Sequence, residues 1–166
     1  MYKRQLFASP SGGYAPLKIY FSHKSTKGAL VHWNFGDETE SYVNTPSHKY
    51  KEPGTYTVVL TVEDNKGNKI TEKQTIEIKE ASSIALSETP KELSTDNGDV
   101  FKIESKNIEE YHLSIFNNET KLIFETTNPD KTWDGKDQPK GTYFYTIKAK
   151  GVDGKEYDYK GQVQLK

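Results

Sequence analysis

The fold is decided by Trp33-Asn34-Phe35-Gly36-Asp37 and by Thr55-Tyr56-Thr57-Val58-Val59-Leu60-Thr61-Val62, which follows His48-Lys49-Tyr50 and Pro53-Gly54. The first stretch is typical of a strand that ends at a glycine turn. In the second, apolar side chains occupy alternate positions from Tyr56 to Val62, which is the period of a half-buried antiparallel strand. Pro53-Gly54 favours a turn before that strand, because proline fixes φ and glycine accepts positive φ. Together these stretches predict a β-sandwich.

Alternating apolar residues predict further strands on both sides of this core. They are Leu17-Ile19-Phe21, Val31-Trp33-Phe35 and Ile70-Ile76-Ile78 in the first half, and Val100-Phe101-Ile103, Tyr111-Leu113-Ile115, Leu122-Phe124, Tyr143-Tyr145-Ile147 and Tyr157-Tyr159-Val163-Leu165 in the second. No stretch has a sustained helical period. We therefore expect an all-β chain of two tandem antiparallel β-sandwich domains in an elongated arrangement.

The composition changes abruptly at Lys79-Glu80-Ala81-Ser82-Ser83, where small and charged residues replace the apolar alternation. We interpret residues 80–83 as a short linker between a domain at 10–79 and a domain at 84–166. Residues 1–9 are predicted to be a disordered or artefactual leader, since Met1-Tyr2-Lys3-Arg4-Gln5 resembles the pentapeptide translated from a transposon sequencing adaptor. On this interpretation the parent protein is larger, and its signal peptide lies upstream.

Charge and residue types exclude several classes of function. The 23 basic and 24 acidic residues nearly cancel without a Lys/Arg cluster, so a nucleic-acid partner is not expected. No apolar run approaches the length of a membrane span, and the absence of cysteine excludes disulfides and thiolate chemistry. Gly-x-Ser-x-Gly, P-loop and paired-carboxylate patterns are also missing. We predict a monomer that is not an enzyme and has no cofactor.

Two metal alternatives stay open at this point. His32 and His48 could approach each other across strands and hold zinc, although isolated histidines are more often ordinary surface or core residues. Calcium favours oxygen-rich loops, but aspartate also occupies turns for backbone reasons alone. The aspartates at predicted turns are Asp37, Asp64, Asp96, Asp99 and Asp134.

The Trp-Asn-Phe-Gly-Asp stretch, followed by His-x-Tyr-x-x-Pro-Gly-x-Tyr, resembles the PKD domain, an immunoglobulin-like module of extracellular proteins, over about residues 10 to 80. The resemblance implies an immunoglobulin-like fold with Trp33 in the core and Tyr56 in a tyrosine corner. Asn34 stands where the family has aspartate and Glu38 where it has glycine, so we expect the turn after Asp37 to differ from the family's. Motif residues with an implied structural role are Trp33, Phe35, Gly36, Asp37, His48, Tyr50, Pro53, Gly54 and Tyr56.

The second half contains Asn97–Ile103, Tyr111–Asn117, Leu122–Glu125, Trp133–Lys136, Gly141–Tyr145 and Tyr159–Lys166 in an order and spacing that resemble a known signal. This is the type B, or gliding-motility-associated, C-terminal sorting domain of proteins exported by the type IX secretion system of Bacteroidota. The implied sorting residues are Trp133, Asp134, Gly135, Gly141, Thr142, Tyr143, Tyr145, Lys160, Gly161 and Lys166. This chain departs from the family at a shortened opening loop, Asp96–Asp99, and at Asn118-Glu119-Thr120, where the family has Arg-Trp-Gly.

The resemblance implies a secreted or cell-surface protein whose second domain is recognised by the type IX secretion and surface-attachment machinery. The PKD-like domain would then be a spacer, or a binding module for an extracellular glycan or protein in adhesion. The alternative is a glycan-binding accessory module of a larger hydrolase or adhesin, which needs several exposed aromatic rings on one surface. The candidate rings are Tyr14, Tyr20, Tyr42 and Trp133. For Trp133 we expect packing over Tyr143 and Tyr145 instead.

Overall fold

A computed structural model describes residues 5–24 and 29–166 and divides the chain into two compact units, Met1–Glu80 and Ala81–Lys166. Both units are built almost entirely of β-strands, as predicted. The helices among the described residues are two short 3₁₀ segments, Leu86–Glu88 and Thr95–Asn97. The elongated arrangement of the two units stays a prediction.

The first unit is a sandwich of two sheets. Its strands are β1 (Gln5–Ser9), β2 (Gly12–Tyr14), β3 (Leu17–Lys24), β4 (Leu30–Asn34), β5 (Glu40–Ser41), β6 (Ser47–Tyr50), β7 (Gly54–Glu63) and β8 (Lys69–Lys79). One sheet has the order β2-β8-β7-β4-β5 and the other β1-β3-β6. Neighbouring strands are antiparallel except β2 and β8, which are parallel.

Trp33 lies at the centre of the first core and has no exposed surface. Burial alternates along β4 and β7, so Trp33 faces inward together with the apolar residues of β7. Its ring lies 5.6 Å from the ring of Phe21 on β3, which places an aromatic contact between the two sheets. The interpretation of Trp33 as a core residue is confirmed.

The N-terminal segment belongs to the sandwich. Residues 5–9 form β1, which pairs with β3 from Gln5 opposite Lys24 to Ser9 opposite Tyr20. Because Leu6 and Ala8 lie two positions apart on a strand, both face inward and pack against the core. The prediction of disorder is therefore wrong for residues 5–9, whereas the artefactual origin stays a prediction. The remaining residues of the predicted leader, 1–4, lie outside the described part of the chain.

The second unit is organised around one five-stranded sheet. Its strands are β9 (Ser83–Ala85), β10 (Glu92–Leu93), β11 (Glu104–Lys106), β12 (Ile108–Phe116), β13 (Leu122–Thr126), β14 (Gly141–Gly151) and β15 (Glu156–Leu165). The larger sheet has the order β10-β15-β14-β12-β13, and β9 pairs with β11 in a second, two-stranded sheet. Burial alternates along β14, so Tyr143, Tyr145 and Ile147 face the core as predicted.

Both units fix a turn to the strand that follows it through a tyrosine hydroxyl. The Tyr56 hydroxyl donates to the backbone oxygen of Glu52 at 2.9 Å, and the Tyr143 hydroxyl donates to that of Pro139 at 2.7 Å. In each case the acceptor lies four residues upstream. This shared tyrosine corner explains why Gly-Thr-Tyr occurs at 54–56 and again at 141–143.

Ser82 fastens the start of the second unit to its last hairpin. Ser82 Oγ donates to Asp153 Oδ1 at 2.6 Å, and the Ser82 backbone N–H donates to Asp153 Oδ2 at 3.1 Å. Since a serine hydroxyl has one proton, the Tyr157 hydroxyl, 2.8 Å away, donates to Ser82 Oγ. Ser82 is buried and Ser83 begins β9, so residues 81–83 are a packed part of the second unit rather than a linker. The composition of this segment gave no sign of a partner that lies 71 residues away.

We expect Ser82→Ala to lower the unfolding temperature of the second unit by at least about 4 °C, because the hydrogen bonds of a buried hydroxyl are lost. Ser83→Ala, at the neighbouring exposed serine, is the matched control and should change it little. Thermal unfolding followed by circular dichroism measures both. An equal shift in the two variants would show that the Ser82 hydroxyl has no special role.

The effect of Ser82→Ala should also depend on pH. The hydrogen bond from Ser82 Oγ, followed by those from backbone N–H groups, holds the pKa of Asp153 below its ordinary value of 3.8. A carboxyl group with a depressed folded-state pKa contributes stability above its unfolded pKa, and that stability is lost as pH falls through the folded pKa. The difference between wild type and Ser82→Ala should therefore be full near neutral pH and shrink in acid, below the ordinary aspartate pKa.

Candidate functional site

The turn that follows β4 holds Asp37 against His48 of β6. Asp37 Oδ2 lies 2.7 Å from His48 Nε2, and Thr39 Oγ1 donates to Asp37 Oδ1 at 2.5 Å. The His48 ring stacks on Phe35 with centroids 4.4 Å apart, and the Tyr50 hydroxyl donates to the Phe35 backbone oxygen at 2.9 Å. Burial alone would raise the pKa of Asp37, but the hydrogen bonds from Thr39 and His48 hold it below its ordinary value. These motif residues form one network that joins the two sheets.

The pair of Asp37 and His48 does not have the geometry of a nucleophilic triad. In a triad, the carboxylate and the hydroxyl contact opposite nitrogens of the imidazole. Here Asp37 and Thr39 both approach His48 Nε2, the hydroxyl from 3.4 Å, and the hydroxyl donates its proton to Asp37. The network therefore supports a structural role.

The backbone of this turn is left-handed at Gly36 and Glu38, with φ of 82° and 69°. A Cβ on Gly36 would lie 2.7 Å from the backbone oxygen of Thr57 on β7, so a side chain does not fit there. Glu38 adopts a conformation that glycine accepts without strain. Glu38 is therefore a strained residue in a conformation suited to glycine. That this turn differs from the family's stays a prediction. Pro53 lies before β7, as predicted, whereas Gly54 is the first residue of that strand and has no positive φ.

Two of the aspartates considered for calcium accept hydrogen bonds within their own loops. Asp64 accepts hydrogen bonds from the backbone of Lys66 and Asn68, and Asp99 accepts one from Ser94. Among residues 5–24 and 29–166, no group of three or more potential ligands is placed to hold a metal ion. Turn capping accounts for these side chains.

The two histidines considered for zinc lie apart. His32 is on β4 and stacks on Tyr42 with centroids 4.7 Å apart, whereas His48 is on β6 in the other sheet. His48 contacts Asp37 instead. The structure therefore does not bring these two imidazoles to one ligand site.

Trp133 closes one end of the second core. Its side chain is 6% exposed, and its ring lies 5.0 Å from that of Tyr143. Two backbone hydrogen bonds with Phe101, of 2.7 and 3.1 Å, fix the position of the loop. The expectation that Trp133 packs over the Tyr143 strand is confirmed. The next two motif residues support this loop: Asp134 accepts the Lys136 backbone N–H, which lowers the pKa of Asp134, and Gly135 is buried.

Tyr145 and Gly161 face each other across β14 and β15. A Cβ on Gly161 would overlap the Tyr145 hydroxyl, so glycine is required for the phenol to reach across β15. Tyr145 is buried and its ring lies 4.9 Å from that of Phe101. Gly141 begins the strand on which Tyr145 lies. These motif residues build the fold.

The other motif residues lie nearer the surface. Thr142 Oγ1 donates to Gln164 Oε1 at 2.8 Å. Lys160 is exposed on β15, and Lys166 Nζ forms an ion pair with Glu92. The sorting residues predicted from the resemblance are therefore mostly core and turn residues.

The departure at Asn118-Glu119-Thr120 leaves a complete hairpin turn between β12 and β13. Asn117 Oδ1 accepts the backbone N–H groups of Glu119 and Lys121 at 3.0 and 2.9 Å. Thr120 adopts φ of 63°, the left-handed conformation that closes the turn. The different sequence therefore changes the side chains of this loop while the sheet keeps its hairpin.

The aromatic rings considered for sugar stacking do not share a surface. Tyr14 is on β2 and Tyr42 follows β5, and these strands form opposite edges of the five-stranded sheet, about 19 Å apart at the usual strand spacing. Tyr20 is exposed on β3 of the other sheet, with Lys18 Nζ 5.1 Å from its ring centre. Trp133 is buried in the second unit. No stacking platform is formed by this set.

Comparison with family models matches a different family to each of the two units. A family model described as the PKD domain matches residues 9–79, and one described as the CHU_C type IX secretion signal domain matches residues 89–165. The chain is a PKD domain followed by a type IX secretion signal domain. The signal places the protein at the cell surface or outside the cell and implies contact with the secretion machinery. Within the described ranges, no helix has the length and apolar character needed to cross a membrane.

The PKD domain also has a curated relative. Collagenase ColA of Bacillus cereus is 40% identical over 76 residues, which cover 43% of this chain and 8% of the collagenase. The chain spans less than a tenth of that relative's length, so the similarity concerns one module of a much longer protein.

Solved structures support the immunoglobulin-like fold. The insect immune protein hemolin matches with a TM-score of 0.57 and 11% identity, covering 99% of this chain and 48% of that chain. The structure of Dpr11 IG1 bound to DIP-gamma IG+IG2 matches with a TM-score of 0.51 and 11% identity, covering 99% and 98%. At this identity the similarity shows the fold alone.

Sequence reasoning missed two features of the type IX signal domain. One is the hydrogen bonding of Ser82 to Asp153, and the other is a cavity beside β10 whose lining includes Thr89 and, from β15, Gln162 and Gln164. Asp153-Gly154 indicated a turn but no partner for its carboxylate. The cavity had no local signal, because its walls come from three separate segments of the chain.

We expect Glu38→Gly to raise the free energy of unfolding of the PKD domain by about 1 kcal/mol, because glycine removes the left-handed strain. Glu38→Gln, which removes the charge and keeps the Cβ, is the control and should change it little. Urea unfolding measures both. A lower stability for Glu38→Gly would contradict the assignment of strain.

We expect Trp133→Ala to lower the free energy of unfolding of the signal domain by about 3 kcal/mol, as large core truncations do. Phe144→Ala is the matched control, since this aromatic residue lies on β14 next to Tyr143 but is 45% exposed. Denaturant unfolding compares the two. A similar, small effect of both changes would refute the packing role of Trp133.

Proposed function

We propose that this chain is part of a longer secreted or cell-surface bacterial protein, in which the signal domain is the address for type IX export and the PKD domain is a spacer or binding module. The observation that supports the proposal is the match of the signal-domain model to residues 89–165, which include the five-stranded sheet and the Trp133 loop. An export signal of this kind must remain folded for the secretion machinery to recognise it. The tyrosine corner, the Trp133 packing and the Ser82 hydrogen bonds support such a fold.

A structural role for the PKD domain is favoured over glycan binding. Its motif residues are used internally, in the contacts of Asp37 with His48 and of Tyr50 with Phe35. The exposed tyrosines lie on separate edges and sheets. We therefore propose a spacer that carries upstream parts away from the surface, and neither domain is proposed to catalyse a reaction.

A reporter fusion tests the export function. Residues 5–166 are placed behind a Sec signal peptide and a reporter enzyme, in a type IX-competent bacterium and in an isogenic strain without a functional type IX system. We expect the reporter on the surface or in the medium of the competent strain and in the periplasm of the deficient one. A fusion that ends at residue 80 should stay periplasmic in both.

The fusion of Ala81–Lys166 alone assigns the signal to the second unit, because the structure places Ser82 within that unit. We expect it to be exported as well as residues 5–166. Retention of both signal-containing fusions in the periplasm of the competent strain, in protease-resistant form, would overturn the export proposal.

A further inference from the structure

The last strand of the signal domain, β15, has a long open edge. On one side β14 pairs with it from Glu156 to Leu165 without a bulge. On the other side β10 pairs only with Gln164 and Leu165. Among the residues that the structure describes, no strand pairs with positions 156–163 on that side. An edge of this length presents a row of backbone groups that can pair with a further strand.

The backbone groups of β15 alternate in direction. The Gln164 N–H donates to the Lys91 backbone oxygen at 2.9 Å, so residue 164 points its N–H away from β14. In a regular antiparallel ladder every second residue points the same way. Asp158, Lys160 and Gln162 therefore direct their N–H and C=O groups to the open side, whereas the odd-numbered residues bond to β14.

The side chains at this edge carry complementary charges. Tyr157 and Val163 belong to the core, so Asp158 and Lys160 lie on the outer face of the sheet, and both are exposed. Lys160 forms no ion pair within the described ranges, and the Asp158 carboxylate lies 4.0 Å from Lys148 Nζ in an exposed pair. Because the two residues have opposite charges and lie two positions apart, the strand is complementary to a reversed copy of itself.

We infer that β15 pairs with β15 of a second copy of this chain, antiparallel, across a two-fold axis at Tyr159. In this register Asp158 of each copy lies opposite Lys160 of the other, and the backbone groups of these residues point at each other. Moving one strand by two residues sets either Asp158 against Asp158 or Lys160 against Lys160, which is unfavourable. Only the register centred on Tyr159 forms pairs of opposite charge without a pair of like charge.

Tyr159 supports the same register. It lies on the inner face of the sheet with Tyr157, yet it is 37% exposed. At the two-fold axis the two Tyr159 rings lie opposite each other and cover that surface. One strand from each copy buries less than the roughly 800 Å² per partner of a standard interface, so we expect a weak dimer. This pairing does not depend on the proposed export function, and the monomer predicted from composition is the competing outcome.

Sedimentation equilibrium of the full chain, from micromolar to millimolar concentration, tests the pairing. We expect a reversible equilibrium between monomer and dimer. Hydrogen exchange followed by NMR locates the contact, because the amides of Asp158, Lys160 and Gln162 should exchange more slowly as the dimer forms. The amides of Tyr157 and Tyr159, which bond to β14, should be protected at every concentration.

Charge reversal tests the register. Because of the two-fold axis, Lys160→Glu converts two attractive pairs into two repulsive ones, so we expect dimerisation at least about tenfold weaker. Asp158→Lys should act in the same way, and the double variant restores opposite charges and should restore dimerisation. Lys121→Glu makes the same charge change at an exposed lysine outside β15 and should leave dimerisation unchanged.

Three results would overturn the inference. The first is a chain that stays monomeric at millimolar concentration, in which case the charges of Asp158 and Lys160 keep the edge unpaired. The second is a dimer in which the amides of Asp158, Lys160 and Gln162 stay unprotected. The third is unchanged dimerisation in Lys160→Glu, or a double variant that dimerises no better than this single variant.

Discussion

Tyrosine hydroxyls that satisfy backbone carbonyls outside the sheets are the interactions on which both sandwiches depend. A chain that leaves a strand for a turn has carbonyl groups without ladder partners, which a tyrosine hydroxyl can satisfy. The hydrogen bond of Tyr50 is buried, so its loss would also leave a buried carbonyl unpaired, whereas that of Tyr56 is exposed. Tyr50 meets this need at Phe35, Tyr56 at Glu52 and Tyr143 at Pro139. Because each ring also packs with core residues, the same side chain satisfies a polar group and covers an apolar one.

Strand positions and the core could be predicted from the sequence because the period of two is a local property. Trp33 and Trp133 were both expected to be buried, and both are. The contacts of Ser82 could not be predicted, since they join residues 71 positions apart and neither serine nor aspartate reveals a partner by its type. The strand at residues 5–9 was not predicted for another reason: Phe7 lies between Leu6 and Ala8, so the apolar residues of this segment do not alternate in the sequence.

Most motif residues of the signal domain stabilise its fold. Trp133, Tyr143, Tyr145 and Gly161 act inside the molecule, where one aromatic packs on another and a glycine makes room for a phenol. Part of the surface around them differs from the family pattern, as at the β12–β13 hairpin tip, where Asn118-Glu119-Thr120 replaces Arg-Trp-Gly. This division explains how a loop can differ at residues 118–120 while Asn117 still closes the turn. A family signature can therefore identify the domain without locating the surface that a receptor reads.

The hydrogen bonds of Ser82 to Asp153 set the point at which this module can be exchanged between proteins. A recombination event that joins a new upstream sequence at Ile84 would discard the serine and leave the Asp153 carboxylate and the Tyr157 hydroxyl without their shared partner. A junction before Ala81 would keep both. Recombination that moves export signals between genes should thus favour breakpoints upstream of this serine. The exchanged gene segment would then begin before the codon for Ser83, at which the first strand of the domain starts.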